Sequence, residues 1–311
     1  MKCASIDVGT NTILLLIVDA GETIREIADI STTVRLGEGL KETGHISRGA
    51  MDRGLKAMRE YAGIMAAHGV EYVSCVGTSA LREAENGNEF SDLVENRLGI
   101  PVRIISERDE AYYTYLSVKN DRIIDGERFM IVDIGGGSTE IIAGSREAFQ
   151  DFLSLPAGSV KLTEMFIRND PPIGSEMEAM TAHIRQLLDR RFPGHYDVFI
   201  GTGGTVTTLA SIISECEYFD KDRIHGFRIP YEVLCSAVDT LQKMNVTERR
   251  AVKGMEKGRE DIIVQGTVLL REMMAFYRAG ECVVSAKGVR YGVLYEHMIG
   301  AVDSIKAVDS E

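Results

Sequence analysis

The chain has 311 residues, of which 44% are hydrophobic, and its formal net charge is −12. This length exceeds what one hydrophobic core usually supports, so we expect two domains of ordinary size. The negative charge argues against nucleic acid or an anionic membrane as a partner. A polyphosphorylated ligand would therefore have to be bound by local groups, such as backbone amides, a metal ion or a few arginines.

The five cysteines are widely spaced and include no C-x-x-C pair, which indicates neither a zinc site nor a disulfide framework. Reduced thiols are typical of cytoplasmic proteins. The longest apolar run near the N-terminus, residues 13–18, is much shorter than a signal-peptide core or a membrane span. We therefore expect a cytoplasmic protein without a membrane segment.

The first half of the chain opens with a strand meander. Glycine or polar residues separate three strand signals, at residues 2–6, 13–19 and 24–30. Ser47 is predicted to cap a helix whose apolar positions recur at helical spacing, and Gly69 is predicted to end it. Shorter elements follow, with a strand at 72–76, a helix at 89–98 and a strand at 102–105.

A helix is also predicted to begin at Ser106. Asp109, three residues later, makes a variant of the capping box and places Glu110 in the first turn of this helix. The polar stretch 119–127 is the expected boundary between two domains, residues 1–124 and 125–311, and the last helix is free to pack back on the first domain. The elements predicted beyond this boundary are strands at 129–132, 197–200 and 282–285 and helices at 177–192, 231–244, 262–277 and 289–299.

The most informative stretch runs from an apolar strand into Asp133 and then into Gly135-Gly136-Gly137-Ser138-Thr139-Glu140. Successive backbone N–H groups in a turn without Cβ atoms suit phosphate oxygens. An ordinary β-turn would account for one or two glycines, but for neither carboxylate. Asp133 and Glu140 lie on either side of the turn, where they could hold a cation such as Mg²⁺ against bound phosphates.

The N-terminus repeats this pattern in weaker form. Residues 6–12 share the order Asp, apolar, Gly, x, x, Ser or Thr with residues 132–138. A second glycine turn follows each copy, with Gly77 placed 70 residues after Asp7 and Gly201 placed 68 residues after Asp133. The chain therefore reads as two halves built alike. Meanders followed by helices and further strands predict two ribonuclease-H-like domains, the architecture of actin, Hsp70 and sugar kinases, with a ligand cleft between them.

Several of these pieces together resemble the exopolyphosphatase and guanosine pentaphosphate phosphohydrolase family, in family order and over nearly the whole chain. They are residues 7–12, 77–84, 105–111, 133–140, 201–209, 225–226, 259–263 and 287–296. The resemblance implies hydrolysis of the terminal phosphoryl group of a phosphoanhydride chain, with Mg²⁺ or Mn²⁺ as cofactor. Inorganic polyphosphate is the first substrate expected and guanosine pentaphosphate the second, and a homodimer is expected.

By its position in the family motif, Glu110 is the residue that orients or deprotonates the attacking water. Two neighbours depart from that motif, because Glu107 replaces a usual glycine and Asp109 a usual glutamate. The helix dipole alone would account for an acid at this place. Arg82 is expected to contact phosphate, since arginine can hold it bidentately, although a solvated arginine at a helix start is the alternative.

The glycine turns are expected to supply the phosphate contacts, through Gly9, Asn11, Thr12, Gly135, Gly136, Gly137, Ser138, Thr139, Gly203, Gly204 and Thr205. The expected metal ligands are Asp133, Glu140 and Asp7. Ordinary turn formation is the alternative for these residues, except that Glu140 could equally be a solvated residue on the next strand. Arg259, Lys287 and Arg290 are weaker candidates for phosphate contacts, because cations on helix faces are usually solvated. His225 is expected to be structural.

Two other functions are compatible with these residues. A kinase of the same superfold would pass a phosphoryl group from ATP to a small acceptor, but neither an adenine pocket nor an acceptor site can be identified. A sensor of polyphosphate or nucleotide would bind without turnover. Only Glu110 separates the sensor from the hydrolase, so replacing this residue distinguishes the two.

Overall fold

The computed structural model describes residues 1–21, 24–121, 125–188, 192, 195–217 and 220–308, with side chains through residue 298. The chain forms two compact units. The first takes Met1–Asn120 and the segment from Gly288 onward, and the second takes Asp121–Lys287. The sequence places the boundary between residues 124 and 125, directly after residues 122–124, which lie outside the described part.

The first unit is built on a five-stranded sheet with the order β3-β2-β1-β4-β5. The strands are β1 (Lys2–Val8), β2 (Thr12–Ala20), β3 (Ile24–Thr33), β4 (Tyr72–Gly77) and β5 (Val102–Ile104). The first three form the predicted antiparallel meander, whereas β4 and β5 run parallel to β1. The helices that follow the strands are α1 (Leu40–Thr43), α2 (Arg48–His68), α3 (Ser79–Glu83), α4 (Gly87–Leu98) and α5 (Glu107–Lys119).

Local signals set the ends of α2, as the sequence predicts. The Ser47 side chain accepts a hydrogen bond from the Ala50 N–H, and Gly69 ends the helix in a left-handed conformation. The buried face of α2 packs on the core side of β1 and β2. Within this core the Tyr61 hydroxyl donates to Ile13 O at 2.8 Å, which satisfies its polar end.

The C-terminal helix, Val289–Val308, belongs to the first unit. Tyr291 and Leu294 pack with Cys3 and Leu16 on the other face of the sheet. Arg290 donates to both carboxylate oxygens of Asp29 at 2.9 Å, and both side chains are about one-tenth exposed. Burial acts to lower the pKa of Arg290, but Asp29 reverses this effect, so the net shift is upward.

The second unit contains a six-stranded sheet with the order β10-β11-β9-β6-β7-β8. Its strands are β6 (Arg128–Ile134), β7 (Thr139–Ser145), β8 (Phe149–Leu155), β9 (Val198–Thr202), β10 (Arg228–Pro230) and β11 (Glu281–Val284). Its helices are α6 (Ser159–Phe166), α7 (Gly174–Leu187), α8 (Gly204–Ile213), α9 (Lys221–Ile224), α10 (Tyr231–Leu241), α11 (Val246–Arg250) and α12 (Ile263–Tyr277).

The two sheets share one topology. The order β8-β7-β6-β9-β11 repeats β3-β2-β1-β4-β5, and in both sheets a meander is extended by parallel strands. The short strand β10 adds one antiparallel edge to the second sheet. This repeated ribonuclease-H-like order agrees with the predicted fold class and with the two halves inferred from the glycine turns.

Two predictions in the second unit need correction. The helix predicted at 177–192 is α7, Gly174–Leu187. It begins earlier because Glu176 caps its start by accepting from the Ile173 N–H at 3.1 Å, and it ends at Leu187. Residues 189–191 of that prediction lie outside the described part. The predicted elements did not include α6, α9, α11 or β10. Among the helices described, none is long and apolar enough to cross a membrane.

Candidate active site

Three parallel strands of the first unit end side by side. Val8 pairs with Gly77 and Gly77 with Ile104, so the segments that follow these strands emerge at one edge of the sheet. The Thr78 N–H donates to Val8 O at 3.1 Å, and the Ile105 N–H donates to Gly77 O at 3.0 Å. This register brings together three segments that are far apart in sequence, namely the turn after β1, helix α3 and helix α5.

Arg82 and Glu110 meet at this edge. Arg82 Nη1 donates to Glu110 Oε2 at 3.0 Å and to Ile105 O at 2.9 Å. Glu110 is buried, and its side chain is one-tenth exposed, against one-fifth for Arg82. A shielded carboxylate held by an arginine is a suitable group to orient a water molecule. The structure thus joins the two residues predicted to be catalytic.

The helix start beneath Glu110 is firmly capped. The Ser106 side chain accepts from the Asp109 N–H at 3.1 Å and donates to Asp109 Oδ2 at 2.8 Å. Glu107 lies exposed in the same turn. The two departures from the family motif therefore leave the cap intact and Glu110 in the first turn, as predicted.

The carbonyl groups of the turn after β1 accept backbone hydrogen bonds that fix its conformation. The Gly9 N–H donates to Thr12 O at 3.0 Å, while Thr10 O and Asn11 O accept hydrogen bonds from the segment after β3. Asn11 and Thr12 are buried, and Asn11 Nδ2 lies 3.4 Å from Thr12 Oγ1. Within the described residues no acceptor bonds the N–H groups of Thr10 and Asn11.

The turn after β6 repeats this arrangement in the second unit. The Gly135 N–H donates to Ser138 O at 3.1 Å. The N-terminal residues of α6 donate to Gly135 O and Gly136 O at 3.0–3.1 Å. No acceptor in the described chain bonds the N–H groups of Gly136, Gly137 and Ser138. Such consecutive amides form a concave site for an anion.

Asp133 and Glu140 are directly opposite each other on β6 and β7. Paired residues of antiparallel strands point to the same face, so the two carboxylates are neighbours. Glu140 is fully buried and accepts from Ser154 Oγ at 3.0 Å. The matching pair in the first unit is Asp7 and Leu14, so Asp7 has no carboxylate in the equivalent position.

The donor set fits a magnesium-type ion. Mg²⁺ usually takes one or two protein carboxylates and completes its shell with water and substrate phosphates. Asp133 and Glu140 supply such a pair next to the turn amides. Among the described residues, no group of three or more His, Cys, Asp or Glu side chains is placed to hold a metal alone. Water or a bound phosphate would have to complete the shell of such an ion.

Helix α8 begins beside Asp133. Gly203 precedes the helix with φ 87° and ψ 164°. The first N–H groups of any helix lack intrahelical acceptors, and here no side chain caps them. A Cβ on Gly203 would lie 2.9 Å from Asp133 Oδ1 and 2.5 Å from Ile134 O. Thr205 is buried in the first turn of the helix. Helix starts of this kind bind anions readily.

Arg259 packs against the start of α8. The sequence indicated this arginine only as a weaker candidate for a phosphate contact. Its guanidinium occupies the space that a Cβ on Gly204 would need. Glu256 fixes it by accepting from Arg259 Nε at 2.7 Å, and the same carboxylate oxygen accepts from Thr208 Oγ1 at 3.1 Å. Its place in residues 259–263, a stretch of the family pattern, was the only sequence signal.

The remaining candidates have structural partners. Thr139 is buried and its hydroxyl donates to Ala157 O at 2.6 Å, which indicates support of the turn. Arg290 binds Asp29, as described above.

Lys287 and His225 both approach one carboxylate. Lys287 Nζ lies 3.5 Å from Asp121 Oδ2, and His225 Nε2 lies 2.9 Å from the same oxygen. Because His225 Nδ1 accepts from the Ala286 N–H, its Nε2 is the protonated nitrogen.

The cysteines next to the turns are not poised as nucleophiles. Cys75 lies on β4 and Cys282 on β11, and both are buried free thiols. Burial raises the pKa of Cys282 to about 12. Burial, with a contribution from Asp7, also raises the pKa of Cys75. Neutral buried thiols are inert, which leaves the carboxylates and arginines as the candidate groups of this site.

Residues 16–300 match the sequence model of the Ppx/GppA phosphatase family. The chain belongs to this family. Its members are phosphatases, so the prediction of a hydrolase is confirmed at this level. The Ppx/GppA match covers the whole sheet of the second unit, β3, β4 and β5 of the first, and most of the predicted site residues. β1, the start of β2 and four predicted site residues, Asp7, Gly9, Asn11 and Thr12, lie before its first residue.

Individual Ppx/GppA relatives extend this result. Exopolyphosphatase 2 of Mycobacterium tuberculosis is 32% identical over 286 residues, covering 88% of this chain and 89% of its own. The guanosine-5′-triphosphate,3′-diphosphate pyrophosphatase of Vibrio vulnificus is 27% identical, covering 99% of this chain and 64% of its own. The crystal structure of the Aquifex aeolicus family member superposes with a TM-score of 0.82 at 29% identity, over 97% of this chain and 98% of its own. The predicted fold class is thereby confirmed.

Proposed function

We propose that this chain hydrolyses the terminal phosphoryl group of a phosphoanhydride chain, with inorganic polyphosphate as the preferred substrate and guanosine pentaphosphate as the second. The observation that carries the proposal is the Arg82–Glu110 pair, a buried carboxylate held by a cation at the edge where three strands end. The names of the relatives in Mycobacterium and Vibrio support both substrates.

Glu110 acts on water in this proposal. Phosphoryl transfer passes through a loose transition state, so catalysis depends on positioning and charge stabilisation more than on covalent chemistry. Glu110 orients the attacking water and accepts its proton. Arg82 holds the carboxylate in place and binds a phosphate oxygen, which makes the pair one functional unit.

The turns and the start of α8 hold phosphate groups. Each turn offers N–H groups without acceptors among the described residues, and its carbonyls are fixed by a neighbouring segment. The geometry is therefore set before substrate binds. Arg259 adds positive charge at Gly204. These devices are local, as required for a polyanion that binds to a chain of net charge −12.

Asp133 and Glu140 would hold Mg²⁺ or Mn²⁺, and Asp7 is a further proposed ligand. When bound, the ion would offset the negative charge of the substrate phosphates. The protein's own part is to keep two carboxylates adjacent and one of them fully buried. A homodimer and a cytoplasmic location, both expected from the sequence, belong to the same proposal.

The test is a substrate panel for the parent protein. Phosphate release is measured from polyphosphate, guanosine pentaphosphate and ATP, with Mg²⁺, with Mn²⁺ and with excess chelator. We expect release from polyphosphate and more slowly from the pentaphosphate, and no release with chelator. Tight binding of polyphosphate without release would instead identify a sensor. Phosphoryl transfer from ATP to an added acceptor, without hydrolysis of polyphosphate, would identify a kinase.

A further inference from the structure

Arg35 has an unusual backbone conformation. Three non-glycine residues of the described chain have a positive φ, namely Arg35 at 51°, Glu215 at 50° and Arg278 at 56°. Glu215 and Arg278 lie directly at the C-terminal ends of α8 and α12, where the left-handed conformation is common. Arg35 has no such explanation, because it comes two residues after the edge strand β3.

The conformation of Arg35 is fixed against the turn after β1. The N–H groups of Val34 and Arg35 both donate to Asn11 O at 2.9 Å, and the Gly37 N–H donates to Thr10 O at 2.9 Å. Two successive donors on one carbonyl are the pattern of a β-bulge, a device that redirects a side chain and is frequent next to active sites. Arg35 is thus attached to the turn that carries Asn11 and Thr12.

Arg53 secures the same segment from the side of α2. Its Nε donates to Val34 O at 2.7 Å, and its Nη2 donates to Arg35 O at 3.2 Å and to Glu38 Oε2 at 2.8 Å. Both backbone polar groups of Arg35 are therefore bonded. A strained conformation persists only where its surroundings determine it in this way.

We propose that Arg35 is a further phosphate-binding residue of the first unit, which binds a phosphate group of the substrate at the turn Gly9–Thr12. This inference rests on the proposed function. Glycine is the residue that adopts this conformation without strain, so an arginine here indicates that the side chain is needed. A planar guanidinium binds phosphate oxygens in pairs, and the acidic chain depends on such placed cations.

Substitution of Arg35 by glycine distinguishes a role in phosphate binding from a role in the stability of the fold. R35G removes the guanidinium and relieves the backbone, and R278G makes the same change at the end of α12. Both variants are expected to unfold at the parental temperature or above it. R35G should lower kcat/KM for polyphosphate by at least about tenfold, the loss expected for one hydrogen bond to a charged group. R278G should stay within about twofold of the parent.

Binding is measured separately in the E110Q background, where turnover is suppressed. Tripolyphosphate is titrated into E110Q, E110Q/R35G and E110Q/R278G. Only E110Q/R35G should bind it more weakly, and the affinity of this variant should depend less on salt concentration. If R35G does not fold, R35N replaces it, because asparagine tolerates this conformation. R35K, which keeps the charge but not the fork, should lose less activity than R35G.

Equal activity and equal tripolyphosphate binding of the R35G and R278G variants would overturn the inference and leave Arg35 as a bulge residue on an edge strand. Failure of the proposed function is a different result. In that case the parent releases no phosphate from polyphosphate, and the comparison of tripolyphosphate binding still decides whether Arg35 contacts phosphate.

Discussion

Arg82 Nη1 lies 3.0 Å from Glu110 Oε2, although the two residues are 28 positions apart in sequence. Neither helix could place its side chain alone. The contact exists because β4 and β5 end in register, so that α3 and α5 both begin at one edge of the sheet. Arg82 also donates to Ile105 O, just before α5, and thereby ties the two helix starts together.

We expect R82K to lower kcat for polyphosphate by about 10²-fold, the effect of removing one donor aimed at developing charge. Lysine keeps the charge, but it cannot donate to Ile105 O and Glu110 with the fixed geometry of a guanidinium. Steady-state phosphate release measures the change. The control is R25K, because Arg25 is a highly exposed residue paired with Asp19. Equal loss in both variants, or none in R82K, would contradict the role of Arg82.

D133N and E140Q should each raise the Mg²⁺ concentration needed for half-maximal activity by at least about tenfold, since each removes one carboxylate from the proposed ion. Activity is measured across a Mg²⁺ titration at saturating polyphosphate. D239N, an exposed acid on α10, is the control. D7N tests whether Asp7 also binds the metal ion, although no carboxylate faces it across the strand pair. An unchanged Mg²⁺ requirement in D133N and E140Q would rule out this pair as metal ligands.

G203A should destabilise the protein by about 1–3 kcal/mol, because φ 87° with ψ 164° is a region open essentially to glycine alone. The added Cβ would also approach Ile134 O and Asp133 Oδ1. Chemical unfolding measures the change. The matched control is G280A, where a Cβ would meet nothing within 4 Å. Similar stability of the two variants would show that the turn adjusts without cost.

D29N should destabilise the first unit by about 3 kcal/mol or more, because it leaves the buried Arg290 cation without its bidentate partner. Tyr291 also loses a contact, since its hydroxyl lies 3.1 Å from Asp29 Oδ2. Thermal or chemical unfolding of the whole chain measures this effect. D19N removes an exposed pair with Arg25 and should cost less than about 1 kcal/mol. An equally small cost for D29N would mean that this ion pair does not hold the C-terminal helix.

Much of the fold was predictable because its signals are local. Ser47 and Gly69 fix the two ends of α2, and glycine or polar residues separate the strand signals of β1, β2 and β3. The nearly equal spacing of the glycine turns predicted two similar halves, which the matching strand orders confirm. By contrast, α6 was missed, because it has only eight residues and Gly158 at its start provides no side-chain cap.

The parts of the site that were not predicted depend on contacts between distant segments. Asp133 and Glu140 were paired from the sequence, but only the strand register reveals that Leu14, and not a carboxylate, faces Asp7. Arg259 reaches Gly204 across 55 residues of sequence. The bulge at Arg35 depends on the carbonyl of Asn11, which lies in the turn between β1 and β2. Sequence patterns report neighbours along the chain, so such pairings remained hidden.

The central claim is that Glu110 activates water for hydrolysis of a phosphoanhydride. The most direct test compares phosphate release from polyphosphate by the parent, E110Q and E107Q, after thermal unfolding has shown that all three are folded. Glu107 is the matched control, because it is an exposed acid in the same helical turn. We predict that E110Q loses about 10²–10⁴-fold in kcat while still binding polyphosphate, and that E107Q stays within about twofold of the parent. Full activity of E110Q, or an equal loss in E107Q, would contradict the assignment.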